Sequence, residues 1–326
     1  MDINSVREYL GRDWTLVQEK IAQSLNSDID LLNATNSSIL SNSGKQVRPL
    51  LSLLVARACS SAEATEATVC YAAASELLHN ATLLHDDVAD NSDQRRGVPT
   101  IMSLMGPSVS VLVGDYWLVK AMDLILGSPV GGSKVIRIFS KTLADLAEGE
   151  MLQLQKARSG DTSEEDYLRI IYSKTASLFE AACVSAAISV NASEEFVNAA
   201  RDYAVALGLA FQIKDDILDY SGTERVGKPL GVDILEQKIT MPLLGAFVNA
   251  PAEEDRIRRI VRDIVDHPEY RDEIVSFVKD NKGLEYAVRQ LDKYVSQAID
   301  ALSVFPAGKE RELLEELAYF TAKRAM

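Results

Sequence analysis

Apolar residues recur at three- and four-residue intervals along almost the whole chain, and alternation with a period of two is nearly absent. That pattern predicts amphipathic helices, not strands. Residues 1–43 divide into one helix through Val6, Leu10, Leu16, Val17 and Ile21 and a second around Ile29–Leu40, stopped at Asn42-Ser43-Gly44. Pro49 stands near the start of the next helix, which runs to about Ala58; a proline is tolerated in a first helical turn. A long apolar helix follows from about Ala62 to Ala89, with turn signals after it at Asn91-Ser92 and Gly97-Val98-Pro99. Met105–Leu126 is apolar and helical, ended by Gly127-Ser128-Pro129 and Gly131-Gly132, and Val135–Gln155 follows. Ala157–Asp161 reads as a loop. Thr162 and Glu165 then form a capping box for a helix that carries Lys174-Thr175 and continues through Ala181, Ala182, Ser185, Ala186 and Ala187. Glu194–Tyr220 is helical, Ser221–Val232 a polar loop, and Leu235–Val248 helical again. The remainder is amphipathic and charged, broken at His267-Pro268 and Pro306-Ala307-Gly308. The fold class that follows is all-α. With no Gly/Ser-rich linker, residues 1–326 are expected to form a single domain.

Composition narrows what such a bundle does. A formal net charge of −14 argues against nucleic acid and anionic membrane surfaces as main partners. No run of 18 uncharged apolar residues is present, so no transmembrane helix is expected. The N-terminal MDINSVREYLGRDW has no basic stretch followed by an apolar one, so no secretory signal is expected, and a cytoplasmic compartment is expected. Cys59, Cys70 and Cys183 are scattered without CxxC spacing and read as buried reduced thiols.

The candidate chemistry lies in Leu77–Thr100, LLHNATLLHDDVADNSDQRRGVPT. Asp86 and Asp90 are four apart, so on a helix their carboxylates share a face, with Asp87 beside them. Such like charges repel, and a cation offsets the repulsion. Oxygen ligands without cysteine select a hard ion, Mg²⁺ rather than Zn²⁺. One DDxxD is ordinarily a solvated acidic face. A second copy, Asp215, Asp216 and Asp219, lies within the apolar positions Leu207, Leu209, Phe211, Ile213, Ile217 and Leu218. Carboxylates there are costly unless paired or metal-bound. Facing each other across a bundle, two such clusters would hold several Mg²⁺ ions with positions open to a phosphate ligand.

The two DDxxD motifs, with Gly44-Lys45-Gln46-Val47-Arg48-Pro49 before the first and Arg95-Arg96-Gly97 after it, resemble those of the trans-isoprenyl diphosphate synthases, the polyprenyl synthetases. The resemblance runs from about Gly44 to Pro242. It implies one large helical bundle around a central cavity, of the isoprenoid synthase type. It implies too that isopentenyl diphosphate is joined head to tail to an allylic diphosphate, with release of pyrophosphate. Asp86, Asp87 and Asp90 on one side, and Asp215, Asp216 and Asp219 on the other, are then metal ligands for three Mg²⁺ ions per active site. Arg95, Lys174, Lys228 and Lys238 add positive charge around the departing diphosphate. Thr175 and Gln212 line the dry pocket that protects the allylic cation. Gly44, Lys45, Arg48, His79 and Arg96 match the metal-free site for isopentenyl diphosphate. His79 lies seven residues before Asp86, two helical turns back on roughly the same face. His85, about 100° around the helix from Asp86, is read as structural. Glu148 and Glu150 are either buried polar residues or an outer-shell feature. One departure stands out: Gln237 precedes Lys238 where the family usually has Gly. A homodimer is expected, by resemblance and because Met105–Leu126 is more apolar than one core needs.

Chain length is read from Ala81 and Thr82, five and four residues before Asp86. Short-chain members commonly place a bulky aromatic there. Two small side chains leave the tunnel open, so the expected product is a medium- or long-chain all-trans polyprenyl diphosphate, longer than C20. Tyr116 and Trp117 are large enough to make a floor further down, so a geranylgeranyl or farnesyl diphosphate synthase is the alternative. A terpene cyclase has no use for the second basic site. A non-catalytic partner subunit of a heteromeric synthase is expected to lack one acidic motif, and a metal-binding helical scaffold leaves the Lys/Arg positions unexplained.

Overall fold

The computed structural model describes residues 2–95, 97–221 and 231–323. It is all-α: among these residues the strands are confined to Gln94–Arg95 and Val98–Pro99, an antiparallel pair in which Gln94 faces Pro99. The helices are α1 Ile3–Leu10, α2 Arg12–Ser24, α3 Asp30–Ser41, α4 Val47–Ser60, α5 Glu66–Ala89, α6 Ile101–Met105, α7 Pro107–Leu126 and α8 Gly132–Ser159. After them come α9 Glu164–Ile171, α10 Ser177–Ser189, α11 Glu194–Ser221, α12 Val232–Leu235 and α13 Met241–Asn249. The last are α14 Glu254–Asp263, α15 Arg271–Asp280, α16 Gly283–Ala301 and α17 Lys309–Lys323. No helix among the described residues is long and apolar enough to cross a membrane.

The departures from the sequence pattern have local causes. The first expected helix is two, because Gly11 takes φ 51°, a left-handed value that ends α1 and starts α2 in a new direction. Gly106, at φ 88°, likewise separates α6 from α7 inside the expected Met105–Leu126. The capping box lies one residue later than expected. Ser163 accepts from the Asp166 amide and the Asp166 carboxylate accepts from the Ser163 amide, while Thr162 is buried and gives its carbonyl to Arg258. Helix does not resume at Leu235; α12 ends there and α13 starts after Thr240. Most of the expected loop 221–232 lies outside the described residues. Both late breaks fall where proline dictates, at Pro268 and ahead of Lys309.

Close packing divides the chain into two compact units. The first comprises Met1–Ser140, Ala181–Arg201 and Val304–Leu314. Its centre is α5, which packs on α2, α4 and α7 and is buried almost all round from Ala67 to Leu78. A helix apolar on every face is stable only in such a place. Leu50, Leu51, Leu53 and Leu54 of α4 are fully buried, each adding roughly 1.5–3 kcal/mol of apolar burial. Thr65 caps α5 by accepting from the Thr68 amide, and Ser110 of α7 donates to the Leu84 carbonyl at 2.8 Å.

The second unit comprises Lys141–Glu180, Asp202–Ser303 and Glu315–Met326. In it α13 packs on α15 and α16, with Phe247 and Phe277 in tilted ring contact at 6.0 Å. Tyr286 of α16 donates to Glu164 at 2.8 Å and so ties the start of α9 down. Between α9 and α10 the chain makes a π-helical turn, Tyr172–Ala176. Periodicity cannot show such a turn, because one extra residue in a helix leaves the apolar pattern on either side intact.

Candidate active site

The second acidic motif is built on α11, where Ile213, Ile217 and Tyr220 are buried. Asp216 is 2% exposed and has both oxygens engaged: Tyr167 donates to Oδ2 at 2.6 Å and Gln212 Nε2 to Oδ1 at 3.0 Å. Burial, with Asp233 adding repulsion, pushes the Asp216 carboxyl up to about 7 despite those two donors. Burial pushes the Tyr167 hydroxyl well above its ordinary value as well, so it stays a donor. Asp219 accepts from the backbone amides of Val232 and Asp233 at 3.1 and 3.2 Å. Burial first and Asp233 second raise it to about 6. Asp215, in the same turn, is half-buried.

The π-helical turn sets the neighbouring polar groups. Thr175 donates to Gln212 Oε1 at 2.9 Å, which fixes the amide so that its nitrogen faces Asp216. A chain of donors thus runs from Thr175 through Gln212 to Asp216 and meets Tyr167 there. Lys174 pairs with Glu150 at 2.5 Å and donates to Gln153 Oε1 at 3.1 Å. That pairing settles Glu150, which the sequence left open, while Glu148 stays exposed, 4.0 Å from Arg169. Between the two glutamates, Gly149 lets α8 lie against the π turn: a Cβ there would stand 2.5 Å from Ser173 Cβ.

These residues surround a cavity of about 120 Å³ whose lining includes Lys174, Gln212, Asp216, Asp233, Lys238 and Thr240. Lys238 lies 3.7 Å from Asp233 and is ion-paired with Glu236. Gln237, the departure from the family pattern, sits at φ 60°. The backbone adopts the left-handed shape that glycine favours, and Gln237 Nε2 holds it by donating to the Arg262 carbonyl at 2.6 Å. Lys228 lies outside the described residues.

The first acidic motif ends α5, in the other unit. Asp87 is 5% exposed, Asp86 half-buried and Asp90 exposed. The short antiparallel pair brings Arg95 back onto Asp87, with Nε at 2.9 Å and Nη2 at 2.8 Å from Oδ1. Arg95 is thus placed as the counter-ion of the middle aspartate. Arg96 lies outside the described residues. Gly44 and Lys45 are exposed and Arg48 is half-buried, in and just after the turn that opens α4. His79 is half-buried, and its carbonyl accepts from Thr82 Oγ1 at 2.8 Å. Ala81 is 1% exposed. His85 is turned toward α7, with Nε2 3.2 Å from Asp115.

Among the described residues no three His, Cys, Asp or Glu side chains converge as a ready-made metal cage. Mg²⁺ does not need one. It keeps several waters and binds through one or two carboxylates plus substrate phosphates. The donor set suits it: carboxylates only, and in the second motif burial, with Asp233 adding repulsion, raises Asp216 and Asp219 above the ordinary carboxylate range, a penalty that a cation would relieve.

Tyr167, Gln153, Asp233 and Thr240 belong to this site and sequence reasoning missed them. Asp233 carried a signal, an acid five residues before Lys238 in a Gly-bounded turn. Tyr167, an aromatic in an apolar helical pattern, carried none.

The profile of the polyprenyl synthetase family matches residues 29–278. An octaprenyl diphosphate synthase of Haemophilus influenzae is 37% identical over 99% of this chain and 98% of its own. The crystal structure of a decaprenyl diphosphate synthase from Rhodobacter capsulatus superposes with a TM-score of 0.91, at 34% identity over 99% of both chains. That of a Caulobacter crescentus polyprenyl synthase complexed with calcium and isoprenyl diphosphate gives 0.89, at 34% identity over 99% of this chain and 98% of that one. Matches that run nearly end to end cover both acidic motifs and the turn before α4, and they show that the chain belongs to the polyprenyl synthetase family.

Proposed function

We propose that this protein condenses isopentenyl diphosphate with an allylic diphosphate, head to tail, to an all-trans polyprenyl diphosphate longer than C20. The observation that carries this reading is the cavity in which Lys174 and Lys238 stand with Asp216 at the end of the Thr175–Gln212 donor chain. Asp86, Asp87 and Asp90 would hold Mg²⁺, and so would Asp215, Asp216 and Asp219, three ions in all. When bound, the metal supplies Lewis-acid stabilisation of the departing diphosphate. Lys174, Lys238, Lys228 and Arg95 add fixed positive charge as the C–O bond ionises. Thr175 and Gln212, hydrogen-bonded to each other at 2.9 Å, line the pocket of the allylic carbocation and keep bulk water from it. Gly44, Lys45, Arg48, His79 and Arg96 bind isopentenyl diphosphate without metal. Residues 1–326 work as one polyprenyl synthetase domain, in the cytoplasm. Incubation with Mg²⁺, isopentenyl diphosphate and farnesyl diphosphate gives a long-chain product that chelator abolishes. No condensation in Mg²⁺ overturns the reading.

We also propose a homodimer. Helix α7 leaves Leu112 68% and Leu126 63% exposed, with Val119 exposed between them. Sedimentation equilibrium at micromolar concentration should give twice the 35.7 kDa of one chain. A monomer rejects the dimer.

The raised carboxyls make a further expectation. Asp216 and Asp219 sit at about 7 and 6, above the ordinary 3.8. The folded protein therefore binds more protons than the unfolded chain between those values, and this contribution to stability is lost as pH rises through them. In chelator the melting temperature should fall from pH 5 to pH 8, with a flatter slope in Asp216→Asn. Mg²⁺ should raise it more at pH 8 than at pH 6, because the ligands must be ionised to bind. Equal slopes in the two proteins would remove Asp216 as the cause.

A further inference from the structure

Arg7, on α1, lies 37 residues before Gly44, yet its Nη2 donates to the carbonyls of Gly44 at 3.2 Å and Lys45 at 2.9 Å. The guanidinium is held for this. Nη1 donates to Asn4 at 3.4 Å, and the group lies 5.1 Å from the centre of the Trp14 ring. Trp14 belongs to α2, and the left-handed Gly11 between the helices donates its amide to the Arg7 carbonyl at 2.9 Å. The break in the first expected helix thus places the ring against Arg7.

Two successive carbonyls bonded to one guanidinium fix two successive peptide planes. Among the described residues no peptide bond is cis, and in a planar trans peptide N–H points opposite to C=O. The amides of Lys45 and Gln46 therefore point away from Arg7. Gly44 and Gln46 both have left-handed backbones, at φ 70° and 50°. For Gln46 that conformation costs about 1–2 kcal/mol, so the surroundings must hold it. Successive amides in such a turn form a concavity suited to an anion. Here it opens the fourteen-residue helix α4, whose N-terminal dipole adds to it. Gln46, 7% exposed, has a side-chain nitrogen with no hydrogen-bond partner among the described residues, a donor left over for a ligand oxygen.

We propose that Arg7 is a positioning residue for the isopentenyl diphosphate site. It does not touch substrate. It turns the Gly44–Gln46 backbone so that two amides and Lys45 face the diphosphate. This rests on the reading of Lys45 and Arg48 given above. Because that site needs no metal, it can be tested apart from turnover, by calorimetric titration of the full-length protein with isopentenyl diphosphate in chelator. Arg7→Met should weaken this binding about tenfold. It should raise KM for isopentenyl diphosphate to a like degree, leaving KM for the allylic substrate and kcat within about twofold. Arg7→Lys should recover part of the loss, since one ammonium cannot hold two carbonyls as the planar fork does. A general loosening of the fold would move both KM values together, and that outcome overturns the proposal. So does unchanged binding in Arg7→Met while Arg48→Ala binds poorly. If the unaltered protein, or Arg48→Ala, shows that the turn does not take isopentenyl diphosphate, the functional reading of the site falls, and this inference with it.

Discussion

Asp215→Ala should lose turnover by about 10³-fold or more while its circular dichroism stays helical, since on the proposed function it removes a carboxylate that would hold Mg²⁺ against the leaving diphosphate. Asp86→Ala should do the same in the other motif. The neighbouring Asp216→Ala is expected to behave differently, because Asp216 serves the fold as well. Both its oxygens are acceptors, and truncation strands the Tyr167 hydroxyl and one Gln212 donor in a buried place. A buried donor left without a partner costs about 1–3 kcal/mol. Against this stands a gain: Asp216 is itself uncomfortable when ionised, which is why its carboxyl sits at about 7. The balance depends on pH. At pH 5.5 the carboxyl is largely protonated, no buried charge is relieved, and the full loss should appear as a lower melting temperature. At pH 8 relief of the charge offsets part of it. Asp215→Ala within tenfold of the parent rate would remove the metal assignment. An Asp216→Ala destabilisation equal at both pH values would remove the account of Asp216.

Much of this was legible in the sequence, for physical reasons that can be named. The acidic motifs could be read because four-residue spacing on a helix is local geometry, and the helices because burial imposes its period on every turn. The departures are of two kinds. Some arise from single backbone angles that no periodicity carries: Gly11 at φ 51°, Gly106 at φ 88°, the π turn at Tyr172–Ala176. Others are pairings between residues far apart in the chain, which only packing decides. Tyr167 with Asp216, Lys174 with Glu150, and Arg7 with the Gly44–Lys45 turn are of this kind. Gln237 lies between the two kinds. Its identity departs from the family, yet its backbone keeps the glycine-like shape.

Ala81→Phe should shorten the product and leave the first condensation intact. Ala81 lies five residues before Asp86 on α5, so its Cα is about 7.5 Å from that of Asp86 along the helix axis. A tunnel that follows α5 passes this level early, and a phenyl ring there stops the growing chain while the diphosphate end stays untouched. Thr82 is less suited to close it, since its hydroxyl is turned back onto the His79 carbonyl at 2.8 Å. The larger side chains of α7 are engaged with other elements. Trp117 is fully buried with Nε1 donating to Asn36 of α3 at 2.8 Å, and Tyr116 reaches the Asn26 carbonyl at 3.4 Å. Trp117→Ala should therefore lower stability by about 3–5 kcal/mol, with product length the lesser effect. The competing explanation for any Ala81→Phe phenotype is overpacking, which costs about 1–3 kcal/mol and changes stability whatever the ring does to the tunnel. The two are separable by chromatography of the dephosphorylated products alongside a thermal melt. A shorter product at nearly unchanged rate of the first addition supports a tunnel along α5. A lowered melting temperature with unchanged length places the floor elsewhere, and a parent product of C15 or C20 overturns the open tunnel itself.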